Sequence, residues 1–315
     1  PPSSLSVSLR RGAARGGTSR SAAALGAEQD KGTTMSKQDL GWTVPVMRTG
    51  YAGRGLVYLI VAGISLYSIW RGGQAEGTSS ALGWLDGSAW GTLLLCLVAL
   101  GMFAYAVWRI IDAIYDLEDY GSDGKGAIAR TGMVTTAIAH AAIGVTAFSL
   151  VFQSGDGGGG SGSAISDYVA TVLGWPAGRW IVGAIALILF GTAIYYVRKG
   201  WKEKYREHIQ GTPTTERLNP VLKIGTIAQG VVIGIVGVLF FYAAWQGDPS
   251  EAGGTEAVFG WLSQQVYGQT LVVILCVGLL AFAIVCFVNA WLRYIPKVAG
   301  PDVATLAARL KAKAS

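Results

Sequence analysis

Residues 48–70 read RTGYAGRGLVYLIVAGISLYSIW: a basic residue, a glycine step, then an apolar run long enough to cross a hydrocarbon core. The same opening returns as Arg130-Thr131-Gly132 and as Lys223-Ile224-Gly225. Each run is followed by a Gly-rich or acidic loop, then by a second apolar stretch beginning near a small-residue step. Those steps are Trp90-Gly91, Ala177-Gly178 and Tyr267-Gly268. The chain is therefore a two-helix membrane hairpin written three times, with six apolar stretches between about residues 53 and 292. A repeated unit that cannot bury its own faces packs on its copies.

Composition agrees. Of 315 residues, 14% are charged and 51% hydrophobic, and the mean hydropathy is +0.43. A soluble domain carries about a quarter charged residues. The net charge of +6 would suit nucleic acid, but its distribution argues against that partner. Seven Lys/Arg precede Thr49, seven fall between Arg198 and Lys223, and five follow Leu292. The loops at 72–89, 153–177 and 246–269 hold none, with Arg71 and Arg179 at their edges. By the positive-inside rule both termini and the loops at 112–130 and 198–223 are expected in the cytoplasm of a multi-pass membrane protein. Cys96, Cys276 and Cys286 fall inside predicted helices, where thiols act as small hydrophobes, and no Cys/His spacing suggests a metal.

Residues 1–46 read as an N-terminal extension leading into an interfacial segment with Trp42 and Pro45. The Arg-, Ser- and Ala-rich composition of 1–34 mimics a transit peptide. However, Met35-Ser36-Lys37 reads as an ordinary start, so 1–34 is expected to be an upstream, disordered extension. Three repeats follow at 47–120, 129–206 and 221–294, and 295–315 is a cytoplasmic tail. Helices are expected at about 53–70, 89–111, 131–152, 178–197, 224–245 and 270–292, with 157–160 in a flexible outer loop. Trp70, Trp90, Trp175, Trp180, Trp201, Trp245 and Trp291 near helix ends form the aromatic belts. The tail should form a turn or two, with Leu306 and Leu310 on one side anchoring it to the surface. Small residues, including the Gly230/Gly234 step, should let the hairpins approach closely.

Each repeat starts and ends on one side, so the copies are parallel and related by an axis along the membrane normal. The fold class is all-α: a polytopic membrane protein with six transmembrane helices as three parallel repeats in a pseudo-threefold bundle. Mitochondrial carriers share that count, but their Pro-x-acidic-x-x-basic step is missing from the ends of the odd helices here. The run Gly50-Tyr51-Ala52-Gly53-Arg54-Gly55-Leu56-Val57-Tyr58-Leu59 fits elsewhere, together with Trp90-Gly91, Ala99-Leu100-Gly101, Ala104-Tyr105 and Trp108-Arg109. It resembles the bacterial membrane family called domain of unknown function 1206, built of tandem two-helix repeats. In the other repeats the Arg-Gly step becomes Thr136-Ala137 and Gln229-Gly230. The resemblance implies six membrane helices and a bacterial cell membrane, and no established activity.

Placing the odd helices in register makes Arg54, Thr136 and Gln229 equivalent, and likewise Tyr58, His140 and Ile233. The two sets are four apart, hence on one helix face. Polar groups at such depth normally face the bundle interior. If the odd helices surround the axis, Arg54, Tyr58, Thr136, His140 and Gln229 form a polar layer. A structural reading pairs Arg54 with Asp112, or has it cap backbone carbonyls, with Tyr58 and His140 bonded across the seam. A functional reading makes the layer a gate, an anion site or a proton-responsive element. Arg109 and Asp112, three apart, should form an interfacial ion pair, and Asn289 a helix–helix hydrogen bond. The chain carries no HExxH, GxSxG, paired intramembrane carboxylates or phosphate-binding glycine motif. That leans away from an enzyme, and no cofactor or metal is expected. The expected partners are the lipid bilayer and a membrane protein. Two functions stay open: a structural or accessory membrane component, and a small channel or transporter for a small solute or ion along the axis.

Overall fold

A computed structural model describes residues 40–85, 89–152, 162–296 and 303–314. The N-terminal 1–34 and the glycines at 157–160 lie outside the described residues. Six helices are long and apolar enough to cross a membrane: α1 (Thr43–Trp70), α3 (Ala89–Tyr115), α4 (Gly124–Phe152), α6 (Gly178–Trp201), α7 (Pro213–Gln246) and α9 (Gly268–Leu292). Four short helices accompany them: α2 (Thr78–Gly83), α5 (Gly162–Leu173), α8 (Thr255–Ser263) and α10 (Leu306–Ala314). Among the described residues there is no strand, only isolated antiparallel bridges of Ile209 with Arg293 and Gln210 with Thr305. The protein is an all-α, multi-pass membrane protein with six spans.

Three spans begin well before hydropathy alone indicates, α4 by seven residues. Helix α1 takes in Pro45, which sits in the first turn, where a missing N–H costs nothing. Helix α7 starts eleven residues before the expected 224. Thr212 closes a reciprocal capping box with Thr215, and Pro213 occupies the first helical position. Pro220 lies inside α7, two turns from its start and away from the midplane. The described parts of the loops at the end opposite the termini are also more ordered than their Gly-rich or acidic sequences suggest. In each repeat the odd helix is followed by a short helix, α2, α5 or α8, before the even one. Helices α2 and α8 join through Glu256, which accepts from the amide and hydroxyl of Ser80 at 2.8 and 2.9 Å.

The spans pack in the order α6–α7–α9–α1–α3–α4. Three parallel repeats around an axis would give this cyclic order, with one junction, between α4 and α6, left without an extensive interface. Burial follows: 61% of the central window of α9 is covered by protein, against 22% for α4 and 17% for α6. The extensive interfaces all join odd helices to even ones, so the odd helices do not pack on one another around an axis. The middle of the bundle is apolar, filled by Val57, Val61, Leu95, Met102, Val232, Cys276 and Leu279. Without a hydrophobic force between helices in lipid, close backbone approach supplies the attraction. A Cβ on Gly53 would lie 2.4 Å from the Cα of Gly101, and one on Gly225 would lie 2.5 Å from the backbone of Ala281. The Gly230/Gly234 step faces Val197 and Ala193 of α6, an internal contact.

At the basic end, the 3₁₀ turn Lys204–His208 and the segment behind it stitch α6, α9 and the tail together. Helix α10 is docked onto this cap. Leu306 is fully buried, and Arg309 and Lys313 both pair with Glu216 of α7. The tail is thus held by protein contacts, where the sequence suggested anchoring to the membrane surface.

Candidate functional site

The close approach of α1 to α3 sets the site. Because Gly50 and Gly53 admit the backbone of Tyr105 and Gly101, Arg54 reaches across and donates from Nη1 to the Tyr105 hydroxyl at 2.8 Å. Arg109 donates from Nε to the same oxygen at 3.2 Å. Tyr105 is fully buried between the two guanidiniums. Arg54 is itself buried, and the rings of Tyr58, Tyr105 and Phe282 lie 5.7, 5.1 and 5.0 Å from its guanidinium carbon. A desolvated cation–π contact contributes about 2 kcal/mol. Among the described residues no carboxylate pairs with Arg54, and its Nε is buried with no hydrogen-bond partner.

The acids serve other arginines. Asp112 accepts from Arg109 at 3.0 Å in the expected spacing of three, but with its side chain fully buried. Glu118, just beyond α3, bonds Arg293 just beyond α9 and lies 3.7 Å from Arg109. Burial alone would raise the Glu118 carboxyl, but Arg293 first and Arg109 second hold it far below the usual carboxylate range. Arg109 and Arg293 share a local device: each bonds a polar residue four earlier on its own helix, Tyr105 and Asn289 respectively. Asn289 also donates to the Val285 carbonyl at 2.7 Å, so its bonds stay within its own helix and that helix's trailing arginine. They do not cross to a neighbour as expected.

The residues aligned by repeat register come together only in part. Arg54, Tyr58 and His140 all gather near Tyr105 and Phe282, yet they face different helices. Tyr58 packs edge-on against Phe282 of α9 at 5.0 Å, and His140 lies 4.6 Å from the Tyr105 ring of α3. The His140 Nδ1 is 2.7 Å from the Thr136 carbonyl of its own helix. No bond joins Tyr58 to His140 among the described residues. Thr136 is half-buried and donates its hydroxyl to Gly132 at 2.7 Å. Gln229 is buried with an unpaired Oε1. Arg54 meets Tyr105 in place of the expected Asp112, because Asp112 is already held by Arg109.

Between α1, α3, α6, α7, α9 and the 3₁₀ turn lies a cavity of about 50 Å³ at the basic end, lined by Arg54, Arg109, Lys199, His208, Asn289 and Arg293 among others. Burial beside Lys199 and Arg293 pushes the His208 imidazole down to about 3, so it is neutral at physiological pH. Sequence reasoning missed Tyr51, Tyr105, Glu118 and Arg293 here. A signal was present in the basic residue ending each even helix: Arg109, Arg198 and Arg293. Among the described residues no cluster of His, Cys, Asp or Glu is suited to a metal.

A six-span protein of three tandem repeats with a polar cluster at one end is thus defined. The family description "Domain of Unknown Function (DUF1206)" matches residues 49–116, 131–203 and 224–293, and the chain belongs to that family. It is similar to the uncharacterised protein YxxB of Bacillus subtilis (strain 168), with 26% identity over 245 residues, covering 76% of this chain and 88% of the relative. No solved structure matches.

Proposed function

We propose that the protein is a non-conducting structural or accessory component of a bacterial cell membrane, with its working end in the cytoplasm. The observation that carries this reading is the apolar, closely packed midplane. Val61, Leu95, Val98, Met102 and Leu279 are almost wholly buried, and none of them lines the polar cavity. A conducting path needs polar groups or water at the midplane, as transporters supply with broken helices. The alternative, a small channel or transporter, draws on the same cavity, since a gate would hold a charge such as Arg54 at its inner end. In proteoliposomes the purified chain is expected to give no pH-dependent ion or solute flux above empty vesicles. Flux that Arg54→Leu abolishes, with insertion and abundance unchanged, would overturn the accessory reading.

The orientation rests on the Lys/Arg asymmetry. An even number of spans brings the segments before α1 and after α9 to one side. In a variant lacking native cysteines, Gln264→Cys should react with an impermeant maleimide added to intact cells, and Thr214→Cys should not. Both positions are exposed on opposite ends of the bundle. Labelling of the Thr214 position from outside reverses the topology.

A further inference from the structure

We propose that the cavity at the basic end binds a single phosphate-type oxyanion, either free or as the headgroup of an anionic lipid, with Arg54 as its innermost ligand. Four cationic side chains line the cavity, Arg54, Arg109, Lys199 and Arg293, and two carboxylates, Asp112 and Glu118, are bonded to them, leaving two positive charges in excess. Two of those cations, Arg54 and Arg293, are more than nine-tenths buried, and each has a buried Nε with no partner. Guanidinium groups cannot shed their charge in a protein, so the three arginines stay cationic at every physiological pH. The aromatic faces around Arg54 solvate the cation without neutralising it.

The dimensions and chemistry select the ligand. The cavity of about 50 Å³ is several times what one water needs, about 10–15 Å³, and too small for a nucleotide. A guanidinium presents paired N–H donors that match the oxygens of phosphate, and charge-assisted bonds of this kind are the strong ones. Lys199 and the arginines supply the cationic donors of the lining. Lys199 stands at the half-buried rim, 3.4 Å from the Tyr195 hydroxyl. Helix α6, which carries Lys199, shares no extensive interface with α4. Binding here goes beyond the accessory reading and does not depend on it. Binding without flux leaves both standing, and flux alone overturns only the accessory reading.

The test uses the delipidated full chain in a maltoside detergent, which carries no phosphate. The melting midpoint is followed while inorganic phosphate, dioleoylphosphatidylglycerol or dioleoylglycerol is titrated. A saturable rise with inorganic phosphate identifies a free ion as sufficient. A rise only with phosphatidylglycerol, and none with the phosphate-free diacylglycerol, identifies the headgroup. Lys199→Gln at the rim should weaken half-saturation about tenfold, the loss of one charge-assisted bond, with the ligand-free midpoint unchanged. Arg54→Leu should remove the saturable rise altogether. If that variant does not fold, Lys199→Gln alone decides. No saturable rise in the parent with either phosphate source overturns the site, as does a rise that Lys199→Gln leaves unaltered.

Discussion

Gly53→Leu is expected to eliminate folded protein from detergent extracts, while Gly63→Leu on the same helix leaves yield and melting midpoint unchanged. The contrast is geometric. A Cβ at Gly53 would fall 2.4 Å from the Gly101 Cα, a contact that moving a side chain cannot relieve, so the α1 and α3 backbones must separate. At Gly63 nothing lies within 4 Å of the added carbon. Overpacking in an apolar interior costs about 1–3 kcal/mol where side chains can shift. Here it also pulls Arg54 from Tyr105, leaving a buried cation with one bond fewer. The combined loss, about 3 kcal/mol or more, is a large part of the stability of a domain that is marginal to begin with. Retention of the parent's midpoint by Gly53→Leu would mean that the helices do not cross at this point.

The six spans were legible because lipid removes alternatives. A backbone that cannot bond to water must close its hydrogen bonds within each segment, so apolar length alone marks a helix. The repeated opening, a basic residue two before a glycine, then gave three parallel units. Less legible were the helix ends at the basic side, where Pro45 and Pro213 look like breakers but occupy first-turn positions. The short helices α2, α5 and α8 were hidden by glycines and acids, because helices of this length form only when something packs on them. Leu82, Phe259 and Leu262 supply that packing at the end opposite the termini.

The site was half legible for a related reason. Arg54 and Arg109 stand out as charges in apolar stretches. Register equates Arg54 with Thr136 and Gln229, but equivalent positions on different repeats meet only if the odd helices face one axis. Each odd helix packs against even ones, so Tyr58 finds Phe282 and His140 finds Tyr105. Tyr105 itself passed as one more aromatic residue among apolar neighbours. Glu118 read as an acid in a polar loop, and nothing local ties it to Arg293, 175 residues away.

That long-range pair carries the other large expected effect. Glu118 and Arg293 are both buried, and the ion pair closes the end of α3 onto the end of α9. Glu118→Ala should destabilise by about 3–5 kcal/mol, since removing one partner leaves the other charged and buried. Replacing both, Glu118→Leu with Arg293→Met, should recover most of that loss, because an apolar pair of similar volume avoids the desolvation penalty. The double-mutant cycle then isolates the coupling. Acid should reveal the same bond. The carboxyl is held far below its ordinary range in the folded chain, so the unfolded chain takes up the proton first. The pair's contribution is therefore complete above about pH 4.3, the ordinary glutamate value, and is lost as pH falls towards the lower folded value. Melting midpoints should show that acid-dependent loss in the parent and a shallower one in Glu118→Gln. Equal acid profiles, or a Glu118→Ala midpoint matching the parent, would mean that α3 and α9 are held together without this pair.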